Sequence, residues 1–315
     1  MKTVLMEISR LLLVLFIATF ATFAMLYTES DTVAEDILVM QDLIPTKEAI
    51  EGIKKEYGLD KPFVLQYANW IQGVTKGELG YSHSLDKPVL DEFVHRLPNT
   101  LILTGYSTAF ILIFSLLFGL LGAMHKNKFI DKIIALFSSF AIAMPAFWIG
   151  LILIVIFIVK LRFFELTNMN NPKNMLLPAI SLALPLIGRY AMLIRASMLD
   201  QVSANYVTSA RTRGIPQRNI ILRHILPNAI VSILPLLGIS IGAILGGTVI
   251  IETVFGIHGI GSMVISGINH SDYPLIQSFV LFMTTVYIAI SFAVDWLCKL
   301  IDPRLRHKNS TRIEI

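Results

Sequence analysis

The chain has 315 residues, of which 55% are hydrophobic and only 15% charged, with a formal net charge of +4. A soluble domain carries about 25% charged residues, so this composition excludes the two soluble domains that the length alone would suggest. The basic residues sit in short segments between uncharged apolar runs, which argues against nucleic-acid binding. The single cysteine, Cys298, excludes a disulfide framework and a cysteine-rich metal site.

Six apolar runs are candidate membrane spans: Leu11–Tyr27, Leu101–Met124, Ile133–Val159, Met175–Ser197, Ala229–Ile251 and Leu275–Val294. About 20 helical residues cross a hydrocarbon core of about 30 Å. Five of the six runs contain no Asp, Glu, Lys or Arg. Barrel strands would alternate apolar and polar residues over about ten positions, so the spans are predicted to be helices. The first run has basic flanks, Lys2 and Arg10, but no small-x-small cleavage site follows it. It reads as an uncleaved signal anchor. The predicted class is an all-α polytopic membrane protein with six transmembrane helices.

Orientation follows from the short loops, where Lys and Arg collect on the cytoplasmic side. With the N-terminus inside, segments 1–10, 125–132, 198–228 and 295–315 hold 14 Lys/Arg, against three in 160–174 and none in 252–274. Both termini are therefore expected in the cytoplasm. The long segment between the first two spans is predicted to be a small extracytoplasmic helical domain, since so long a structureless loop is unusual. From Glu29 to Arg96 it carries 13 Asp/Glu and 7 Lys/Arg. Pro45-Thr46-Lys47-Glu48 opens a helical pattern closed by Gly58. Pro62 to Lys76 forms a second, with Phe63, Tyr67, Trp70 and Ile71 on one face. The expected divisions are 1–28 (first helix), 29–98 (outer cap), 99–298 (five-helix core with a cytoplasmic loop at 199–228) and 299–315 (cytoplasmic tail).

Segment 198–228 reads as two short helices around Gly214. A left-handed residue there would end the first helix. Pro216 falls early in the second, and Pro227 is expected to end it before the fifth span. Val202, Tyr206 and Ala210 give the first helix an apolar face, while Arg211, Arg213, Arg218 and Arg223 occupy the rest of the surface. Such a helix–turn–helix could pass force from another protein into the bundle.

Tyr206-Val-x-x-Ala210-Arg211-x-x-Gly214 followed by His224-x-Leu226-x-Asn228-Ala229 resembles the coupling loop of ABC-importer permeases, most closely the B-type permease of the dipeptide/oligopeptide/nickel family. Matching motifs run along nearly the whole chain. They include Tyr57-Gly58-Leu59-Asp60-x-Pro62, Leu79-Gly80-x-Ser82, Pro88-Val89, Leu97-Pro98-x-Thr100-Leu101, Pro145-x-Phe147-Trp148, Gly246-Gly247-x-Val249-x-x-Glu252, Asp272-Tyr273-Pro274-x-x-Gln277 and Asp302-Pro303-Arg304-x-Arg306. Arg195-Ala-Ser-Met-Leu-Asp200, Thr46 and Pro88-Val-Leu-Asp91 lean toward the nickel permeases. Thr28-Glu29-Ser30-Asp31 stands where the family has Gly-Asp-Pro. Ile257-His258-Gly259-Ile260-Gly261 replaces a Pro-Gly-x-Gly turn, and Lys160–Asn174 lacks the usual Leu-Pro.

The resemblance implies the ABC type I importer permease fold in a bacterial or archaeal cytoplasmic (inner) membrane. It implies a heterodimer with a second, homologous permease subunit, two cytoplasmic ATPase subunits and an extracytoplasmic substrate-binding protein. ATP and Mg are then used by the ATPase partners, and this chain needs no cofactor and performs no catalysis. The absence of a Gly-x-x-x-x-Gly-Lys-Ser/Thr loop agrees. Tyr206, Ala210, Arg211, Gly214, His224, Asn228 and Ala229 would serve ATPase coupling, with Gly214 making the turn and Ala210 the close approach. Cargo is expected to be nickel, free or chelated, or alternatively a dipeptide or oligopeptide. A secondary transporter is the competing class, but no internal repeat is evident. An intramembrane hydrolase lacks both His-Glu-x-x-His and paired membrane aspartates.

A central arginine costs about 2.5–3.5 kcal/mol on insertion scales. Arg189, well inside the fourth run, is therefore expected to face the bundle or the transport pathway. Arg195, nearer the cytoplasmic end, is expected to snorkel. Glu252, at the outer end of the fifth run where solvation is easier, suits a structural hydrogen bond, a gate or a cation contact. Gly238, Gly242 and Gly246 have the small-xxx-small spacing of close helix packing, and Pro145, Pro178, Pro185 and Pro235 are expected to kink or break their helices. His258, His270 and Asp272 share an outer loop; their ligand chemistry suits a divalent metal, although loop structure or partner docking fits as well.

Overall fold

A computed structural model describes residues 2–28, 30–164 and 173–301. Thirteen described α-helices run α1 (Lys2–Tyr27), α2 (Ser30–Met40), α3 (Lys47–Glu56), α4 (Phe63–Thr75), α5 (Val89–Met124), α6 (Phe129–Ala143), α7 (Ala146–Leu153), α8 (Leu176–Val202), α9 (Asn205–Thr212), α10 (Gln217–Ile220), α11 (Leu226–Phe255), α12 (Ile260–Asn269) and α13 (Tyr273–Ile301). One antiparallel pair, β1 (Tyr81–Ser82) and β2 (Lys87–Pro88), precedes α5. The chain divides into two compact units: 1–100 with 258–288, and 101–257 with 289–315.

In the first unit the expected helices are present. Thr46 caps α3 by accepting from the Ala49 N–H (3.3 Å), and Lys54 and Lys55 lie in its last turn, favourable to the helix dipole. Gly58 follows at φ +68. The Leu59 N–H bonds the Lys54 carbonyl, and the Gly58 N–H that of Lys55, closing a Schellman motif. Val33, Ala34, Ile37 and Leu38 of α2 bury against Ile53 of α3. The aromatic face of α4 packs on α1: Phe63 and Tyr67 lie 5.1–5.7 Å from Phe20 and Phe23, edge to face. The Tyr67 hydroxyl also bonds Thr19 Oγ1 at 2.9 Å.

The second unit is organised by α8, which packs on α6, α7 and α11 and is the most enclosed of the long apolar helices. Small residues set these distances. A Cβ on Gly188 would come 2.9 Å from the Ser138 carbonyl, and one on Gly119 would come 2.6 Å from Ile194 Cβ. The Tyr190 hydroxyl donates to the Leu236 carbonyl (2.6 Å) and bonds Ser240, joining α8 to α11.

Four described helices are long and apolar enough to span a membrane: α5, α8, the 233–255 stretch of α11, and α13. The third expected span is not one straight helix. It is the pair α6 and α7, the latter extended by a π-helical turn at Ile154–Lys160, bent by 102°. The cause is Pro145: the residue before a proline is pushed out of helical conformation, and Met144 is extended at φ −94, ψ 128. Pro178, Pro185 and Pro235 do not break their helices, which run continuously through them. In α1 the described apolar stretch is Leu11–Met25.

These contacts predict opposite outcomes for two glycines. Gly188→Ala forces α8 away from the Ser138 backbone and should cost about 1–3 kcal/mol, read as a lower unfolding temperature in detergent. Gly246→Ala, with nothing within 4 Å of its new Cβ, should leave the temperature of the isolated chain unchanged or slightly raised.

Candidate functional site

The loop between α8 and α11 is a compact, charged helix–turn–helix. Val207 and Ala210 of α9 are buried, as are Ile220 and Ile225 beyond the turn, and all four belong to the core of the second unit. Gly214 stands at φ +74. Its N–H bonds the Arg211 carbonyl (3.0 Å), and the Ile215 N–H reaches back to Ala210 (3.2 Å), a complete Schellman ending. Pro216 caps α10 rather than entering it, its carbonyl accepting from Asn219 and Ile220. Arg211, Arg213, Arg218 and Arg223 are exposed. Tyr206 is also exposed and donates to Gln201 Oε1 at 2.8 Å.

The expected end of the second helix at Pro227 is corrected. The helix runs from α10 through a π-helical turn, Ile221–Ile225, into α11. Pro227, the second residue of α11, therefore lies inside a continuous helical path. In the widened turn the Leu226 N–H bonds the Ile221 carbonyl, five residues back. That register gives the prolyl ring room. His224 is exposed and its carbonyl accepts from Asn228 Nδ2 at 2.7 Å. Ala229 is fully buried, and its carbonyl accepts from Ser197 of α8 at 3.2 Å.

Just before this loop, Arg195 does not snorkel freely. Its Nε and an Nη donate to the two oxygens of Asp131 at 2.5 and 2.8 Å, and Asp131 also accepts from the Asn127 N–H at 2.8 Å. Asp131 is 4% exposed. A bidentate guanidinium–carboxylate pair fixes geometry as well as charge. It ties the start of α6 to the cytoplasm-facing end predicted for α8. Sequence reading missed it because Asp131 lies 64 positions from Arg195; its place in a short basic loop was the available signal.

Arg189 is exposed and has no hydrogen-bond or ion-pair partner among the described residues. It is not held inside the bundle of this chain. Glu252 is fully buried, correcting the expected solvation at a span end. Its carbonyl accepts from the Ile257 N–H at 2.8 Å in the glycine ending of α11. Gly238 packs so tightly on Val294 that a Cβ would overlap it, and Gly242 is buried. Gly246 is exposed, and a Cβ there would meet nothing within 4 Å among the described residues.

The outer-loop candidates do not come together as a metal site. Among the described residues no group of three His, Cys, Asp or Glu could hold a metal ion. Asp272 is 1% exposed and accepts from Ser82 Oγ (2.5 Å), the Ser84 N–H (3.0 Å) and Ser84 Oγ (2.7 Å). It clamps the turn of the β-hairpin to the start of α13. His258 and His270 are exposed; the His258 carbonyl accepts from Asn99 and the His270 ring contacts the Ser266 carbonyl. His83, in the clamped turn, rests edge-on against Tyr57 at 4.6 Å. Burial lowers its pKa below the ordinary value, and the charge of Asp272 opposes that shift. A cavity of about 210 Å³ in the same unit is lined by Phe23, Tyr57, Lys61, Gln66, Trp70 and Gln277. The expected Asp302-Pro303-Arg304 motif and part of the Lys160–Asn174 loop lie outside the described residues.

Residues 115–307 match the family described as binding-protein-dependent transport system inner membrane component, and residues 1–104 match its N-terminal companion. The chain belongs to this family. It is 33% identical over 270 residues to a probable peptide ABC transporter permease of Sinorhizobium fredii, covering 83% of this chain and 86% of that one. It is 31% identical to a metal-staphylopine import system permease of Staphylococcus aureus, covering 97% and 98%. A glutathione transport system permease of Escherichia coli is 31% identical over 83% and 85%. The crystal structure of an amino acid ABC transporter with histidines shares the fold at 21% identity, with TM-score 0.50 over 68% of this chain and 94% of that one. The chain is a multi-pass inner-membrane protein and a non-catalytic transporter component.

At Gly214 the space is open but the backbone is left-handed. An L residue pays about 1–2 kcal/mol there, least for Asn. Gly214→Val should therefore cut ATP-driven uptake severely, while Gly214→Asn keeps most of it, at equal membrane insertion. Breaking a buried pair by deleting one partner costs about 3–5 kcal/mol. Asp131→Ala should accordingly destabilise the complex in detergent by several kcal/mol, and more than the double variant Asp131→Ala/Arg195→Met, which removes both charges.

Proposed function

We propose that this chain forms half of the translocation pathway of an ABC importer, with both termini in the cytoplasm and six spans, α1 being the first and the bent pair α6–α7 the third. The observation that carries this reading is the segment from α9 through Gly214 and α10 to the π-helical turn at Ile221–Ile225. It is packed into the core on one face and bears four exposed arginines on the other. Tyr206, Ala210, Arg211, Gly214, His224, Asn228 and Ala229 couple a cytoplasmic ATPase dimer to the helices. The second half of the pathway comes from a homologous permease, and a binding protein delivers cargo to the face bearing α2–α4 and the hairpin. Partner subunits bind ATP and Mg.

The cargo is a small peptide-like solute or a metal chelate, with nickel one candidate metal. Peptide, glutathione and metal-staphylopine permeases all appear among the relatives, and the metal-staphylopine permease aligns over almost the whole of both chains. Uptake into proteoliposomes holding the complete complex should need ATP and stop when the partner ATPase loses its phosphate-binding lysine. Uptake that persists without any ATPase would establish a secondary transporter instead.

A further inference from the structure

We propose that Arg189 is the fixed positive charge of the pathway and that it favours carboxylate-bearing cargo, including carboxylate chelates of a metal, over bare divalent cations. This rests on the importer reading above. Arg189 is the middle residue of α8, thirteen positions from either end, hence about 20 Å along the axis from both. From Leu176 to Arg195, every other residue of the helix is buried or half-buried; Arg189 alone is exposed. Most of this stretch is enclosed by the rest of the chain, and the one fully exposed position in it is a cation.

Two arginines of one helix are treated in opposite ways. Arg195 is neutralised within the chain by a bidentate bond to Asp131. Arg189, six positions earlier and so about 120° around the helix, has no partner among the described residues. The exposed carboxylate of Asp200 on the same helix is eleven residues further on, about 16 Å along the axis. Lipid is a poor environment for a guanidinium at mid-helix, and ionisable groups there face water or a partner charge. A guanidinium offers parallel donors that match a carboxylate. In a narrow aqueous path its field concentrates anions and repels free divalent cations.

The complete transporter, reconstituted in liposomes as wild type, Arg189→Lys and Arg189→Met, tests this. The probes are radiolabelled trialanine, radioactive Ni²⁺ in excess L-histidine, and radioactive Ni²⁺ alone. The expected result is ATP-driven uptake of trialanine or the histidine chelate by the wild type. Arg189→Met should lose about tenfold or more of it, the loss expected for one charged hydrogen bond. Arg189→Lys, which keeps the charge but not the fork, should retain part. The preference over bare Ni²⁺ should shrink in Arg189→Met. Wild-type uptake rates in Arg189→Met, or a wild-type preference for bare Ni²⁺, overturn the proposal. So does loss of the second permease from the Arg189→Met complex on size exclusion, which makes Arg189 a subunit contact. A wild-type complex that imports none of the three probes with ATP overturns the proposed cargo preference, whereas uptake of a probe without ATP overturns the importer reading itself.

Discussion

The bidentate pair of Asp131 and Arg195 governs how the core of the second unit can move. It sits seven residues before the end of α8 and two residues into α6. Burying two charges is costly unless their geometry is good and their remaining valences are met. Here both carboxylate oxygens are used, and the Asn127 N–H, presented from a left-handed residue at φ +62, completes the set. The close approach of α6 and α8 at Gly188 then follows on the same pair of helices. A hydrogen-bonded charge pair at one end and backbone-to-glycine contact in the middle leave these two helices little freedom to slide. They behave as one block.

The first unit is held by a different device. Leu79-Gly80-x-Ser82 and Asp272-Tyr273-Pro274, almost two hundred residues apart, meet as one joint. Gly80 at φ +93 brings its backbone so close to Pro274 that a Cβ would lie 3.0 Å from the ring. Ser82 and Ser84 donate to Asp272, Ser278 donates to the Leu79 carbonyl at 3.1 Å, and the Val89 N–H donates to the Gly80 carbonyl at 3.0 Å. Asp272 is thus occupied by four hydroxyl and amide groups, counting the long bond from the Leu275 N–H. Such a carboxylate is a clamp, which explains its place in a motif without any appeal to a metal.

Local chemistry was the legible part. Apolar run length located α5, α8, α11 and α13, because a span must satisfy its backbone internally whatever its neighbours do. Gly58 and Gly214 announced left-handed helix endings, and both are Schellman motifs, since the αL requirement is a property of the residue itself. What escaped was decided by tertiary context. Pro145 broke its span whereas Pro185 and Pro235 did not, and proline alone does not distinguish them. Pro227 was absorbed by a π-helical turn, a register change that leaves no compositional mark. The partner of Arg195 could not be chosen among the loop acids before the helices were placed. Gly246, spaced like Gly238, has nothing within 4 Å of an added Cβ among the described residues, because spacing marks a face and not what covers it.

If the loop couples to an ATPase as proposed, the uninterrupted path from α10 to α11 decides how it acts. Had Pro227 ended the helix, a push on the loop would be absorbed by a flexible joint before the membrane. With the helix continuous, displacement of α10 passes into α11 through hydrogen-bonded turns. On the other side, α9 is separated from α8 by only Ser203 and Ala204. The two helices are themselves joined, by Ser197 to the Ala229 carbonyl near the loop and by Tyr190 to Leu236 and Ser240 further along. A force on the loop therefore reaches α8 and α11 together. Since α8 is also locked to α6, the moving body includes α6, α8 and α11. The extended Met144-Pro145 break separates α7 from α6 along the chain, but α7 packs on both α8 and α11. A displacement of the loop is therefore passed to α7 as well, and the four helices respond together.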